Sequence, residues 1–394
     1  MKILQVISSF PPAYSYGGPV RATYEISKKL VERGHEVAVF TTDAYDAHSR
    51  LKYDENPIWM DGIEVYHFKN ISNKLAHRNF AISPTMAFAL NKNVKSFDIV
   101  RLDEYRTFQA VLVHHYAKKH RIPYILQPRG QVPRFNMNMQ KKIFDTLFGN
   151  SIIRNAGKII ASSKIESKQY REVFPDLDTK KIVHIPNGIN LETYQNLPPK
   201  GEFRKKYSID EDEKTILFLS RIHERKGTDI LVQAFSKLKK GLKGAKLIIA
   251  GPDEGFLGKL RQMAKELNVE NDVIFPGPLY EKEKLEAYLD ADVFVLPSKD
   301  SYESFGNVAL EACACGTPTI VRNVCGVSEW LNSVEVADPN YNALYQKLLE
   351  ILSKPESERI EMGEKSREEA KKFSWDAIAE NLDKIYQDIL GENI

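Results

Sequence analysis

A chain of 394 residues exceeds what one ordinary core supports, and two domains are expected. With 42% hydrophobic and 28% charged residues, and no apolar run near the ~18 residues of a membrane helix, the composition reads as soluble and globular rather than bilayer-spanning. The net charge of +3 selects no partner class, and three sparse cysteines read as buried thiols, neither a disulfide framework nor a metal site, which fits a cytoplasmic protein.

Residues 2–8 form a predicted first strand, too short and too polar-flanked for a signal peptide. A proline-rich loop follows and ends in Gly17 and Gly18, just ahead of a helix predicted over 20–33 that buries Ile26, Leu30 and Val31 and stops at Gly34. Two glycines at a helix N-terminus let an anion approach the backbone, although no G-x-G-x-x-G fingerprint is present. Strands predicted at 37–41, 63–68, 97–102 and 122–127 alternate with helical patterns such as 107–120, the rhythm of a doubly wound parallel sheet. Ligands sit at strand ends in such sheets, so Asp103, Glu104 and Arg129 are candidate crevice residues.

From 114 to 171 basic residues greatly outnumber acidic ones. Within that stretch Arg134, Lys141, Lys142 and Arg154 flank Phe135, Ile143, Phe144, Leu147 and Phe148, whose spacing marks one helix face. The plain reading is a core-facing helix with a solvated basic side. The sharper one is a patch over 134–154 that meets an anionic membrane surface or an anionic acceptor. Asn187-Gly188 is a turn, and 197–201 reads as interdomain linker.

The second half repeats the α/β rhythm with strands predicted at 215–220, 246–250, 273–275, 292–296 and 319–321. Arg221 and Lys226 stand in the loop after the first of these and can converge on one anionic group, with Gly227 opening a helix; Arg225 between them is expected to be solvated. Pro297 ends the strand at 292–296, and a helix is predicted from about Phe305 to Gly316. Glu303 lies in the loop and Glu311 in the helix, both able to face the ligand end of the sheet, with the helix N-terminus at Phe305, Gly306 and Asn307 between them. An ionised glutamate accepts two hydrogen bonds, which suits a vicinal diol such as a ribose. The pairs Asp176/Asp178, Asp210/Asp212 and Asp290/Asp292 imitate a metal-binding Asp-x-Asp but lie away from any strand-end crevice, so no metal site is assigned to them.

The order Glu303-Ser304-Phe305-Gly306, seven residues between Glu303 and Glu311, and the trailing Cys315-Gly316-Thr317-Pro318 after Leu296-Pro297-Ser298 resemble the signature of the family 4 retaining glycosyltransferases. The likeness extends over nearly the whole chain, through the glycine loop, the Asn187-Gly188 turn and the Arg221–Lys226 loop. It implies the GT-B fold: an α/β protein of two Rossmann-like, doubly wound domains facing across a cleft. Residues 1–195 would form the acceptor-side domain, with the helix of 375–394 crossing back to it, and 196–374 the nucleotide-sugar-binding domain. The resemblance implies a hexosyltransferase-type enzyme that moves a sugar from a UDP-, GDP- or ADP-sugar to a glycan, lipid-linked or other acceptor, with retention, without metal or other cofactor, and in cell-surface polysaccharide synthesis. The catalytic residues would be Glu303, Arg221 and Lys226. The donor would be held by Gly18, Arg221, Lys226, Glu303, Ser304, Phe305, Gly306, Asn307 and Glu311, and the acceptor side would include Gly17, Asp103 and Arg129. Loops at 251–255 and 276–279 would hold the base through backbone groups. Two departures stand out: Arg101 and Asp103 occupy positions where many members carry histidines, and Arg129-Gly130 replaces the usual His-Gly. The alternatives are another GT-B sugar-nucleotide enzyme such as an epimerase, or a non-catalytic nucleotide-sugar-binding protein; nucleic acid is not an expected partner.

Overall fold

The computed structural model describes residues 1–77, 80–133, 139–242, 244–301, 303–338 and 340–391, so Arg134 and Phe135 of the basic stretch lie outside the described residues. Two compact units divide the chain, Met1–Asn187 with Trp375–Ile394, and Gly188–Ser374. The chain leaves the first unit at Asn187 rather than near residue 195. The reason is local: Ile189 is already buried in the second unit's core, and its N–H donates to the Phe373 carbonyl oxygen over 2.8 Å.

The first unit holds β1 (Lys2–Val6), β2 (Glu36–Thr42), β3 (Ile58–Met60), β4 (Ile63–Phe68), β5 (Ile99–Asp103), β6 (Tyr124–Gln127), β7 (Lys158–Ala161) and β8 (Ile182–His184). They form one sheet in the order β3-β4-β2-β1-β5-β6-β7-β8, parallel except for the β3/β4 pair. Apolar runs such as Ile3-Leu4 and Val37-Ala38-Val39-Phe40 are buried throughout, as strands covered on both faces must be. One face is covered by the helix Gly18–Glu32 and by the last helix, Trp375–Gly391. That last helix buries Trp375, Ile378, Leu382, Tyr386 and Ile389, a stripe of three- and four-residue steps, against Ile3, Ile26 and Leu30. Arg33 and His35 approach Asp383 at its edge, at 3.7 and 3.1 Å.

The second unit holds β9 (Lys214–Leu219), β10 (Ala245–Ala250), β11 (Val273–Gly277), β12 (Val293–Leu296), β13 (Thr319–Arg322) and β14 (Glu335–Ala337). The sheet is all parallel in the order β11-β10-β9-β12-β13-β14. Asp290 and Asp292, the most conspicuous of the Asp-x-Asp pairs, are structural. Asp290 accepts from the backbone N–H groups of Gly201, Phe203 and Arg204, and Asp292 pairs with Arg204 and Arg359 at 3.0 Å each.

Two elements differ from expectation. The helix after β12 spans Asn307–Cys315 rather than starting at Phe305, because Gly306 sits at φ +104° and cannot be part of it. The helical stretch from Met139 to Asn155 is interrupted by a π-helical segment, Asp145–Gly149. Its cause is packing: a Cβ on Gly149 would stand 2.0 Å from the Tyr105 hydroxyl, and Asp145 turns inward to Arg106.

The helix Glu356–Ala370 crosses the end of the Asn307–Cys315 helix so closely that a Cβ on Gly363 would lie 1.9 Å from the Gly316 carbonyl oxygen. In an open helix Gly→Ala stabilises by about 1 kcal/mol. Here the sign reverses, and Gly363→Ala is expected to destabilise the second unit by roughly 1–3 kcal/mol in chemical denaturation.

Candidate functional site

In the second sheet β9 and β12 are neighbours, yet the chain proceeds from β9 to β10 and β11 on one side and from β12 to β13 and β14 on the other. Their connections therefore part company at the carboxyl ends, and such a switch point is where open parallel sheets take ligands. The two loops that emerge there carry the residues singled out by sequence. A Cβ on Gly227, at φ +73°, would stand 1.9 Å from the Pro297 carbonyl oxygen, and Lys299 N–H donates to the Arg225 carbonyl oxygen over 2.9 Å. The loops are in backbone contact.

Charge pairs complete the join. Lys226 Nζ forms a close ion pair with Glu303 Oε2, their side chains only 13% and 17% exposed. Arg225 is not solvated: its Nε and Nη2 reach Asp300 Oδ2 at 2.9 and 2.8 Å. Lys299 Nζ meets Asp229 at 2.6 Å. Arg221 pairs with Glu254 over 2.7 Å, with the guanidinium half in solvent. Glu254 is brought there by the loop after β10, whose Pro252 carbonyl oxygen accepts from Ile222 N–H over 2.8 Å.

The loop from Pro297 to Gly306 then turns into the Asn307–Cys315 helix, whose N-cap residue, Gly306, has no side chain to cap it. Phe305 is buried, and its carbonyl oxygen accepts from Val327 N–H over 2.7 Å, while Gly326 N–H reaches the Glu303 carbonyl oxygen over 3.3 Å. A Cβ on Gly306 would come within 2.9 Å of Cys325 Sγ and 3.0 Å of Leu296 Cδ2, so the turn is fitted around glycine. Ser304 and Asn307 are half-buried beside it. Glu311, one turn on, has Oε2 3.1 Å from both the Tyr288 hydroxyl and Lys284 Nζ. Those two partners come from the helix Glu281–Leu289, one turn apart on one face. Sequence reasoning did not find them; the only signal was their four-residue spacing ahead of β12. The arrangement gathers Arg221, Lys226, Glu303, Glu311 and a helix N-terminus at one end of one sheet, chemistry suited to a diphosphate joined to hydroxyl-bearing groups. Among the described residues no cluster of His, Cys, Asp and Glu is placed to hold a metal ion.

In the first sheet the corresponding switch falls between β1 and β5. Gly17, at φ +89°, ends a short turn over Tyr14–Tyr16, and Gly18 is the first residue of the following helix. Asp103, at the end of β5, is fully buried: Gln5 Nε2 donates to Oδ2, and both Nε and Nη2 of Arg129 lie 2.9 Å from Oδ1. Arg129, itself at φ +55°, also reaches Asn187 Oδ1 at 3.3 Å, and Arg101 stands 3.4 Å from Asp103. The arginine in place of the usual histidine is thus engaged inside the unit. Glu104 adopts φ +77° and accepts from Ser8, through N–H at 3.1 Å and through the hydroxyl. Burial pushes its carboxyl up to about 7, with the Ser8 hydrogen bonds and Arg129 pulling the other way. A folded-state value above the unfolded one means stability is full below about 4.5 and is lost as pH rises toward 7. Glu104→Gln removes that titration. Its stability relative to the parent is expected to rise by up to about 3 kcal/mol between those pH values, read by denaturation at several pH.

The model for glycosyltransferase family 4 matches residues 16–193, and that for glycosyl transferases group 1 matches residues 199–373. An uncharacterized glycosyltransferase of Methanocaldococcus jannaschii is 29% identical over 99% of this chain and all of its own length. A D-inositol 3-phosphate glycosyltransferase of Xylanimonas cellulosilytica is 26% identical over 94% of this chain and 91% of its own. Among solved structures, sucrose-phosphate synthase from Thermosynechococcus elongatus superposes with a TM-score of 0.73 at 21% identity, covering 99% of each chain. The Anabaena protein HepE in complex with UDP and glucose superposes with a TM-score of 0.75 at 17% identity, covering 98% of this chain and 100% of its own. With the two family models together matching most of the chain and two parallel-sheet units of the GT-B kind, the chain belongs to the family 4 glycosyltransferases.

Proposed function

We propose that this glycosyltransferase binds a nucleotide-sugar donor at the β9/β12 switch point and passes the sugar, with retention, to a glycan or lipid-linked acceptor in cell-surface polysaccharide synthesis. The observation that carries the reading is the convergence of Arg221, Lys226, Glu303 and the Glu311 helix on one end of the second sheet. The HepE structures hold UDP and UDP-glucose, which supports a nucleotide-sugar as donor. In this reading Arg221 and Lys226 neutralise the charge that develops on the departing diphosphate, the task a metal ion performs in other enzymes, so no metal is required. The helix N-terminus at Gly306 and Asn307 receives a phosphate. Glu311, braced by Tyr288 and Lys284, holds the ribose diol, and Glu303 orients hydroxyls of the transferred sugar. When attack occurs on the face the leaving group vacates, the departing phosphate oxygen takes the acceptor's proton and no separate base is needed.

Lys226→Ala and Glu311→Ala are each expected to lower kcat/KM on the order of 10²-fold or more, read as nucleoside diphosphate release from UDP-, GDP- and ADP-sugars. Parent-like turnover in both variants removes the site assignment. A second expectation follows from the ion pair. Because Glu303 already occupies Lys226, Glu303→Gln frees the cation for phosphate: nucleoside diphosphate should bind about fivefold tighter in calorimetry while turnover falls.

A further inference from the structure

Three arginines are buried among the described residues, and two of them have partners. Arg101 stands 3.4 Å from Asp103 and donates to Gln127, and Arg359 pairs with Asp292 at 3.0 Å. Arg322 is the third. It is 2% exposed, its Nε and Nη1 are enclosed without a hydrogen-bond partner, and it forms no ion pair with any described residue. A buried charge without a partner is among the costliest arrangements a fold retains. The strand itself does not need it. Arg322 is the last residue of β13, beyond the fully buried Ile320 and Val321, and its backbone is already turned by the Cys325 N–H, which donates to the Arg322 carbonyl oxygen over 2.9 Å.

Its position decides what it can meet. Leu296 and Val321 are the last registered pair between β12 and β13, so Arg322 ends its strand beside Pro297, where the loop carrying Asp300 and Glu303 begins. Burial holds the Arg322 guanidinium below the ordinary arginine range, and Asp300 is the carboxylate whose charge opposes that effect. Asp300 is drawn the other way. Both Nε and Nη2 of Arg225 reach its Oδ2, at 2.9 and 2.8 Å, while Glu303, three residues on, is held by Lys226. The loop is thus fastened toward β9 by two cations, and a third cation stands at the end of β13 with no group upon it. A carboxylate has lone pairs for more than one guanidinium, so Asp300 can keep Arg225 and still accept from Arg322.

Resting on the donor reading above, we propose that Arg322 is a positioning residue of the transfer reaction: once the diphosphate takes Lys226 from Glu303, the loop settles toward β13, and Asp300, still held by Arg225, accepts from Arg322 as well. The exchange leaves every charge with a partner, Lys226 on phosphate, Asp300 between two guanidinium groups and Glu303 on hydroxyls of the sugar. Arg322 touches neither donor nor sugar. It acts through Asp300, fixing the loop where Glu303 meets the substrate. The unpaired charge of the free protein is relieved only in the loaded state, so it favours that state.

The test is calorimetric binding of UDP, GDP and ADP to the full chain, with turnover of the matching nucleotide-sugars, in the parent, Arg322→Met, Asp300→Asn and the double variant. Without ligand, Arg322→Met should unfold at or above the temperature of the parent, because only an unpaired charge is lost. It should nevertheless weaken nucleoside diphosphate binding and lower kcat, each on the order of tenfold, and adding it to Asp300→Asn should cause no further loss. An Arg322→Met variant that binds and turns over like the parent overturns the inference and leaves the donor reading standing. So do losses that simply add in the double variant, or a ligand-free melting temperature well below that of the parent, the mark of a structural cation. If none of UDP, GDP and ADP binds the parent, the donor reading falls and this inference with it.

Discussion

The close approach of the two loops that leave β9 and β12 sets the rest of the second unit. A methyl group on Gly227 would stand 1.9 Å from the Pro297 carbonyl oxygen, which leaves room only for hydrogen at that position. The contact fixes where the helix Thr228–Lys239 starts and how far the loop after β12 can swing before it turns at Gly306. Lys226, one residue before the contact, is thereby held beside Glu303, six residues after Pro297. Two segments more than seventy residues apart in the chain meet because the sheet order makes their strands neighbours. Glycine at 227 and 306 is then a condition of the site, since each occupies a left-handed backbone conformation against atoms that cannot move away cheaply.

The cations of the site are all matched by carboxylates: Arg221 by Glu254, Lys226 by Glu303, Arg225 by Asp300, Lys299 by Asp229 and Lys284 by Glu311. An anionic ligand must therefore exchange partners rather than simply add one. The exchange is easiest at Arg221, half in solvent, where an ion pair is worth well under about 1 kcal/mol. It is harder at Lys226, where both partners are mostly buried and the attraction is less screened. Arg225 and Lys299 have a different task, as each bridges the two loops and so holds the frame within which Arg221 and Lys226 can respond.

Short-range signals in the sequence were legible. The strands at 63–68 and 292–296, the stop at Gly34 and the glutamates on either side of Gly306 follow from local chemistry: β-branched runs, glycine caps and a proline that ends a ladder. What escaped depends on contacts distant in sequence. The π-helical turn at Asp145–Gly149 exists because Tyr105 and Arg106, some forty residues earlier, press against it, and no periodicity within the segment encodes that. The start of the Asn307–Cys315 helix depends on a glycine conformation set by Cys325 and Leu296. Arg225 looked like a loop cation in water, and only the adjacency of β9 and β12 delivers Asp300 to it. The early boundary at Asn187 likewise reflects Ile189 meeting Phe373 from the other end of the second unit.

The arginine at 129 gains a physical account from the first sheet. Asp103 closes a central strand at a fully buried point, and a buried carboxylate without partners is far costlier than one ringed by donors. Gln5 supplies one donor from β1 and Arg129 Nε another from beyond β6, with Arg129 Nη2 adding charge at 2.9 Å, Arg101 alongside on β5 and the Tyr386 hydroxyl beside Arg101. A histidine at 129 has a shorter side chain with no planar fork and could not reach both Asp103 and Asn187. With arginine there, the same guanidinium ties the end of β5 to the residue at which the chain departs for its second unit. The positive charge that the sequence advertises at this position is consequently engaged inside the protein, and Glu104 with Ser8, next to Gln5 with Asp103, joins β1 to β5 at the switch point.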